Sequence, residues 1–269
     1  MTGVQTCALP ISNFDPIDAL RAAEPPLEIV HEAGAVDAAE GTAFRTVTTR
    51  PPLAHGSIGP ACAIASWRDG RLEVVSHSQG VFNLRTALAE TLGLDPACVD
   101  VVHRPGAGCY GHNGADDVAL DAALLARRVE GRPVRVLWSR WDEFGTAPLG
   151  APMATSVSAT VTEAGRIAAM SVIATSAPHT SRPAPGAPRL RAAYEITKPP
   201  AMAPAADVPP ARGGGADRNA VPLYDVPALR VGRPVDRQVS TVALCAGVVH
   251  SVREDPAAVK RLTCKRSHQ

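Results

Sequence analysis

The stretch LEVVSHSQGVFNLRTALAETLGL (residues 72–94) changes its hydrophobic period at its middle. Its first part alternates like a strand, and its second part carries apolar residues at helical spacing until Gly93. These apolar residues are Phe82, Leu84, Leu88 and Leu92. The stretch therefore predicts a strand over residues 72–77 and a helix that ends at Gly93.

Two further strands are predicted upstream of this stretch. CAIASW (residues 62–67) is apolar and is separated from residues 72–77 by a turn that contains Asp69-Gly70. Asp-Gly between two β-like runs is a strong hairpin signal. FRTVTTR (residues 44–50) alternates and predicts an earlier strand, whereas the acidic segment before it suggests only a short helix around residues 16–23.

Downstream, a glycine-rich loop at residues 105–114 separates the predicted strand VDVVH (residues 99–103) from a second helix. Asn113 is suited to cap this helix, and Asp116 and Asp117 suit its first turn. Its apolar face is expected from Leu120, Leu124 and Leu125, with Gly131 closing it. A strand, VRVLW (residues 134–138), follows.

These elements predict a mixed α+β and α/β fold with β-hairpins, two main helices and a Pro-rich irregular C-terminal part. Residues 72–138 give a β-α-β-loop-α-β order, and residues 155–161 and 167–175 add a second hairpin. Residues 178–234 carry 12 prolines. Such a segment is expected to form neither a regular helix nor a central strand.

Composition excludes several classes of protein. The formal net charge is +1, from 27 Lys+Arg and 26 Asp+Glu, which gives no electrostatic footprint for nucleic acid. No window reaches the roughly 18 apolar residues of a membrane span. The six cysteines form no CxxC pair and no zinc-ligand spacing, so free thiols or a single stray disulfide pair are expected. No secretory signal pattern is visible, and the compartment stays open.

The ordered motifs resemble the molybdopterin-binding large subunit of the xanthine dehydrogenase / aldehyde oxidase family. Within it they resemble the isoquinoline 1-oxidoreductase or nicotinate dehydrogenase type. The resemblance covers about residues 44–235. It is carried by residues 72–94 and 99–144, by RPPLAHGSIGPACAIA (residues 50–65) and by DRNAVPLYDVP (residues 217–227).

The resemblance implies a set of cofactor-binding residues. Gln79 matches a glutamine that hydrogen-bonds an oxo ligand of molybdenum, since an amide donates without adding charge. Residues 106–112 stand where the family has a Gly-Gly-Gly-Phe-Gly-Gly-Lys loop around the pterin. Either Cys109 or Tyr110 stands for the Phe, and His112 for the Lys. The implied cofactor-binding set is Gln79, Gly106, Gly108, Cys109, Tyr110, Gly111 and His112.

The resemblance also implies a metal held by the pterin's dithiolene sulfurs, so no side chain is expected to ligate it and Cys109 is expected to be a packed thiol. The cofactor would be molybdopterin cytosine dinucleotide. The family's general-base glutamate has no match here, so no catalytic residue is assigned. Expected partners are a small [2Fe–2S] subunit, in this subgroup sometimes a cytochrome c subunit, and an N-heterocycle or aldehyde substrate.

Outside the loops, structural roles are expected for the other polar and aromatic side chains. The histidines at strand or turn positions are expected to be satisfied structural residues, namely His55, His77 and His103. Asp116 and Asp117 are expected to be helix N-terminal charges. A solvated cluster is expected from Arg140, Asp142 and Glu143, and packing anchors from Trp138 and Trp141.

We expect four segments along the chain. Residues 1–12 resemble a translated sequencing adapter and are expected to be an artefact, and residues 13–176 form a fragment of the molybdopterin-binding domain. Residues 177–236 form an extended Pro/Gly-rich segment, and residues 237–269 a frameshifted tail, since two of the chain's three lysines lie there. The fragment alone is expected to be inactive.

Two alternatives stay open. One is a non-catalytic remnant or binding module that keeps the α/β unit. The other is an unrelated dinucleotide-binding oxidoreductase, supported only by glycines at 106, 108 and 111 in the G-x-G-x-x-G pattern. That pattern is weak here because no acidic residue follows at a strand end about 20 residues later.

Overall fold

The computed structural model describes residues 26–106, 108, 110–177, 179, 182–185, 190–194, 196 and 215–234. The expected short helix at residues 16–23, Cys109 and the tail at residues 237–269 lie outside these residues. The strands are β1 Leu27–Ala33, β2 Thr42–Arg50, β3 Cys62–Arg68, β4 Arg71–Ser76, β5 Val99–His103, β6 Val134–Leu137, β7 Met153–Val161, β8 Ile167–Ser176 and β9 Ala228–Pro234. The helices are α1 Val81–Leu92, α2 Ala115–Ala126 and α3 Arg140–Thr146.

One sheet has four strands in the order β5-β4-β3-β6. Strands β4 and β5 are parallel and joined through α1, whereas β3 pairs antiparallel with both β4 and β6. The predicted β-α-β-loop-α-β order is confirmed. The sheet is mixed, since β3 runs antiparallel to the other three strands, and β6 lies at the far edge beside β3.

The predicted β3–β4 hairpin is confirmed. Asp69 and Gly70 both have positive φ, 51° and 75°, as the favoured two-residue hairpin turn requires. The end of α1 is confirmed as well, because Gly93 takes the left-handed conformation at φ 67°.

The larger core lies between this sheet and the helices α1 and α2. Leu72, Val74, Leu84 and Leu88 are fully buried there. Helix α2 contributes mainly alanines, namely Ala119, Ala122, Ala123 and Ala126. Small side chains let a helix approach a sheet closely.

The predicted apolar face of α2 is partly wrong. Leu120 is buried and Leu124 packs against the core, but Leu125 is 53% exposed. The helix also ends at Ala126, so Gly131 belongs to a later turn. The alanine face, and not the leucine spacing, decides which side of the helix is buried.

The second sheet has five strands in the order β1-β9-β8-β7-β2. The predicted hairpin appears as β7 and β8, with Gly165 at φ 74° in its turn. The buried core of this sheet is small and centres on Val172, Leu229 and Val231.

The prediction that residues 178–234 hold no central strand is wrong at their end. Strand β9 lies between β1 and β8, antiparallel to one and parallel to the other. Its prolines cause no conflict, because Pro227 precedes the strand and Pro234 is its last residue. The interior of the strand therefore keeps its N–H donors.

Helix α3 was not predicted. Ser139 and Asp142 form a capping box at its start, with the Ser139 N–H donating to Asp142 at 2.7 Å. Trp138 is buried and its Nε1 donates to Asp121 at 2.8 Å, which confirms it as an anchor. Trp141 is 73% exposed, so its predicted packing role is wrong.

In the described residues no helix is long and apolar enough to cross a membrane.

Candidate functional site

The candidate site is built by two loops that leave neighbouring parallel strands. The glutamine loop (residues 77–80) connects β4 to α1, and the glycine loop (residues 106–112) lies between β5 and α2. Because β4 and β5 are adjacent and parallel, both loops leave the same edge of the sheet. Polar side chains on such carboxyl ends commonly form binding sites.

In the glutamine loop, the residues on either side of Gln79 are held tightly. Ser78 is buried, and its Oγ accepts a hydrogen bond from the Gly80 N–H at 3.1 Å. The Ser78 N–H donates to Ser76 Oγ at 3.1 Å, and His103 Nδ1 lies 3.0 Å from the Ser78 carbonyl oxygen. Gln79 itself is exposed, so a fixed backbone presents a side chain to the outside.

The side-chain amide of Gln79 is hydrogen-bonded to the guanidinium group of Arg182. Arg182 donates to Gln79 Oε1 at 2.5 Å. The carbonyl end of the amide is thereby occupied, which leaves the NH2 group as the end suited to donate to a ligand. Sequence reasoning missed Arg182, because it lies 103 residues away in a segment without periodicity.

The glycines of the glycine loop are required by close contacts and by backbone conformation. A Cβ at Gly106 would lie 2.6 Å from His77 Cγ. Gly108 and Gly111 have φ values of 103° and 106°, which L side chains rarely adopt. Tyr110 also has a positive φ, 24°, and its side chain is 56% exposed. Cys109 lies outside the described residues, so its expected packing stays a prediction.

Asn113 ties the glycine loop to α2. Its Nδ2 donates to the Gly108 carbonyl and to Ser57 Oγ, each at 3.1 Å, and the side chain is buried. Its Oδ1 accepts from the Ala115 N–H at 3.1 Å. Asn113 was predicted as the cap of α2; it bonds to the first N–H of the helix but lies one residue before the N-cap position, which Gly114 occupies.

Asp116 and Asp117 lie in the first turn of α2 as predicted, but both are buried, at 4% and 5% exposed. Asp116 accepts a hydrogen bond from Ser78 Oγ and lies 3.3 Å from His112 Nε2. Asp117 accepts from the Arg191 N–H at 2.8 Å. The sequence pattern placed these residues on the helix but did not predict their burial.

Burial raises the pKa of Asp117 to about 8. The hydrogen bond from the Arg191 N–H lowers this pKa, while the charges of Asp116 and Asp121 raise it further. At neutral pH the carboxyl of Asp117 is therefore largely protonated. The side chain behaves as a structural hydrogen-bonding group that avoids a buried charge.

The expected structural roles of His77 and His103 are confirmed. His77 Nε2 accepts from the Cys62 N–H at 3.4 Å, and burial lowers the pKa of His77. Burial also lowers the pKa of His55, with a further contribution from the nearby His112. His55 packs against the glycine loop, because a Cβ at Gly111 would lie 2.9 Å from its ring.

The predicted solvated cluster of Arg140, Asp142 and Glu143 is wrong for Glu143, which is 6% exposed. Its Oε1 accepts from the Ala61 N–H at 2.9 Å, and Arg140 donates to its Oε2 at 2.5 Å. The first turn of α3 places this carboxylate beside β3, where two donors satisfy it. Glu143, His55 and Asn113 line a small cavity next to the glycine loop.

The structure thus brings most of the predicted site residues to one edge of the sheet. Gln79, Gly106, Gly108, Tyr110, Gly111 and His112 all lie on the two loops. In the described part of the chain, no three His, Cys, Asp or Glu side chains come together as a metal site. The glutamine loop presents the exposed amide of Gln79, and the glycine loop presents its backbone at the surface. Buried polar side chains hold the two loops in place.

Comparison with known proteins shows the family of the chain. Residues 24–195 match the family model for the molybdopterin cofactor-binding domain. A subunit of nicotinate dehydrogenase from Pseudomonas putida is 37% identical over 181 residues. The match covers 67% of this chain but only 14% of that protein.

Two solved structures share the fold. Aldehyde oxidoreductase from Desulfovibrio gigas superposes with a TM-score of 0.51 at 18% identity, over 77% of this chain and 20% of its own. Quinoline 2-oxidoreductase from Pseudomonas putida 86 gives a TM-score of 0.52 at 15% identity, over 77% of this chain and 24% of its own. At these identities the two structures show the fold alone.

Proposed function

The chain belongs to the molybdopterin cofactor-binding domain family, and from this premise we propose that its glutamine and glycine loops bind the molybdenum cofactor. The observation that carries the proposal is the convergence of the two loops at one edge of the four-stranded sheet. Gln79 and the glycines that match the family's pterin loop lie there.

The residues present fit such a cofactor. Gly108 and Gly111 adopt positive φ, so their backbone has no side chain between it and a ligand. The loop leads into α2, where Asn113 fixes it by donating to the Gly108 carbonyl and accepting from the Ala115 N–H. Since the described residues form no metal-ligand cluster, the proposal requires that the cofactor's own sulfurs hold the metal.

Each loop has its own role in the proposed site. Gln79 would offer its NH2 group to the cofactor as a donor, while Arg182 holds the opposite end of the amide. The glycine loop would hold the pterin, with Gly106, Gly108 and Gly111 letting the backbone approach it closely. His112 stands where the family has a lysine, and it would contribute an imidazole ring at that end of the loop.

The parent enzyme is proposed to hydroxylate an aromatic N-heterocycle or an aldehyde. When bound, the cofactor supplies the two-electron oxidation and the oxygen that comes from water. The similarity to a nicotinate dehydrogenase favours an N-heterocycle. The general-base glutamate of the family has no match in this chain, so these residues form one wall of the site.

The finer features of the cofactor and partners rest on the same subgroup resemblance. We propose the cytosine dinucleotide form of molybdopterin. The nicotinate dehydrogenase relative is one subunit of a multi-subunit enzyme, which supports a partner subunit for this chain. We propose that this partner carries the [2Fe–2S] clusters and that a cytochrome c subunit follows it in the electron path.

The test is to produce the chain in a bacterium that makes molybdopterin cytosine dinucleotide. Molybdenum is measured by mass spectrometry, and the pterin and CMP are measured by chromatography after acid release. We expect molybdenum, pterin and CMP in equal amounts on the purified chain. Gly108→Val is expected to remove most of all three, because φ is 103° there and a Cβ would press on Tyr110 at 2.7 Å.

Gly165→Val is the matched control. Gly165 also has a positive φ, 74°, but lies in the β7–β8 turn with no atom near its absent Cβ. It is expected to strain the backbone of that turn and leave the cofactor bound. A folded wild-type chain without pterin, or equal retention by the two variants, would contradict the proposal.

A further inference from the structure

Asp116 is a buried carboxylate that contacts both loops of the candidate site. It is 4% exposed, and one oxygen accepts the hydrogen bond from Ser78 Oγ in the glutamine loop. Its other oxygen lies 3.3 Å from His112 Nε2 at the end of the glycine loop. One side chain on α2 therefore connects the two loops directly.

Ser78 extends this connection to both neighbours of Gln79. Its hydroxyl proton goes to Asp116, and its oxygen accepts from the Gly80 N–H at 3.1 Å. Its carbonyl oxygen lies 3.0 Å from His103 Nδ1 on β5. The backbone on each side of Gln79 is thus fixed relative to Asp116.

The adjacent Asp117 shows that burial at this helix turn does not by itself produce such a connection. It is equally buried, yet it bonds to the Arg191 N–H in the turn Arg191–Tyr194. Two neighbouring carboxylates thus fix different parts of the molecule. Only Asp116 touches the loops.

We propose that Asp116 is a positioning residue that sets the spacing between the glutamine loop and the glycine loop. This inference rests on the proposed function, since it takes the two loops as the cofactor site. A buried carboxylate needs polar partners, and Asp116 has the Ser78 hydroxyl at one oxygen and the His112 ring beside the other, so each oxygen acts on one loop. Removing the charge of Asp116 frees both loops together.

The test is amide hydrogen exchange on the full chain without cofactor, comparing Asp116→Asn with Asp117→Asn. Asp116→Asn is expected to speed exchange about tenfold in residues 77–80 and 106–112, because the charged acceptor of the Ser78 hydroxyl and the carboxylate oxygen beside His112 are both lost. Asp117→Asn is expected to leave both loops at wild-type rates. Unchanged exchange in β3 and β4 shows that each variant is folded.

Two further variants test the Asp116–Ser78 contact and the Asp116–His112 contact separately. Ser78→Ala is expected to speed exchange in residues 77–80 alone, and His112→Gln in residues 106–112 alone. They keep the inference testable if Asp116→Asn does not fold. Equal effects of Asp116→Asn and Asp117→Asn, or loosening of both loops by Ser78→Ala, would overturn it.

Cofactor retention provides a second readout. In the pterin assay, Asp116→Asn is expected to lose cofactor, and Asp117→Asn to retain it. Exchange is measured without cofactor, so its failure would reject the loop coupling alone. Absence of pterin from the wild-type chain would reject the proposed function alone.

Discussion

At Gly106 of the candidate site there is no space for a side chain, not even for a Cβ atom. A Cβ at this position would lie 2.6 Å from His77 Cγ and 2.7 Å from His77 Cβ. We expect Gly106→Ala to destabilise the chain by about 1–3 kcal/mol, because the buried His77 must shift. Urea unfolding measures this change in the free energy of unfolding.

Gly145→Ala serves as the control for Gly106→Ala. Gly145 lies inside α3 with no atom within 4 Å of its absent Cβ. Alanine there is expected to leave stability unchanged or to raise it, since it favours the helix. Equal effects of the two substitutions would show that the His77 contact does not restrict Gly106.

Asp117 is expected to make stability fall as pH rises. Its pKa is raised from 3.8 to about 8, so between about pH 4 and pH 8 the folded chain keeps a proton that the unfolded chain has lost. Stability from this group is complete below pH 4 and decreases on the order of 1 kcal/mol per pH unit up to about pH 8. Asp117→Asn keeps the acceptor for the Arg191 N–H and removes this loss.

Urea titrations at several pH values measure this effect. The advantage of Asp117→Asn over wild type is expected to grow from pH 4 to pH 8 and then stay constant. A constant difference between the two proteins across that range would show that the Asp117 pKa is not raised on folding.

At the residue scale, the sequence predicts local roles better than burial. Asn113 as a cap and Gly93 as a helix end follow from local backbone chemistry, which the sequence contains. Burial of Glu143 depends on an N–H of Ala61, 82 residues away. Such a contact exists only once the chain has folded, so it cannot be predicted from a local sequence pattern.

At the scale of elements, the high proline content of residues 178–234 conceals strand β9. The short run between Pro227 and Pro234 is a good strand, with Val231 fully buried at its centre. The β3–β4 and β7–β8 hairpins were predicted because their turns lie within a few residues of both strands. Strand β9 instead pairs with β1, nearly 200 residues earlier in the chain.

Val231→Thr tests the central position of β9. The substitution keeps the shape but buries a hydroxyl, so we expect a loss of about 1–3 kcal/mol in the free energy of unfolding. Val221→Thr is the control, because Val221 is 43% exposed and its effect is expected to stay within about 0.5 kcal/mol. A Val231→Thr variant as stable as the control would argue against a buried β9.

At the scale of the whole molecule, the two sheets differ in how well they are covered. The four-stranded sheet has the larger core, whereas β2 is exposed along its whole length, with Phe44 58% exposed. A family member that matches this chain over only 14% of its own length has much more protein available to cover such a surface. The exposed sheet is therefore expected to be the weaker part of this chain.

Urea unfolding followed by two signals tests this difference. All three tryptophans, Trp67, Trp138 and Trp141, lie on β3 or in the segment from β6 to α3 and so report on the four-stranded sheet. Far-UV circular dichroism reports on both sheets. We expect the dichroism to begin falling at lower urea than the tryptophan fluorescence. Coincident transitions would show that the two sheets unfold as one unit.

The central claim is that the glutamine and glycine loops hold the molybdenum cofactor. Anomalous diffraction at the molybdenum edge, on crystals of the cofactor-loaded chain, tests it most directly. The account predicts one molybdenum peak beside the Gln79 side chain, with pterin density along residues 106–112. A peak elsewhere on the chain, or loaded chain whose pterin contacts neither loop, would contradict it.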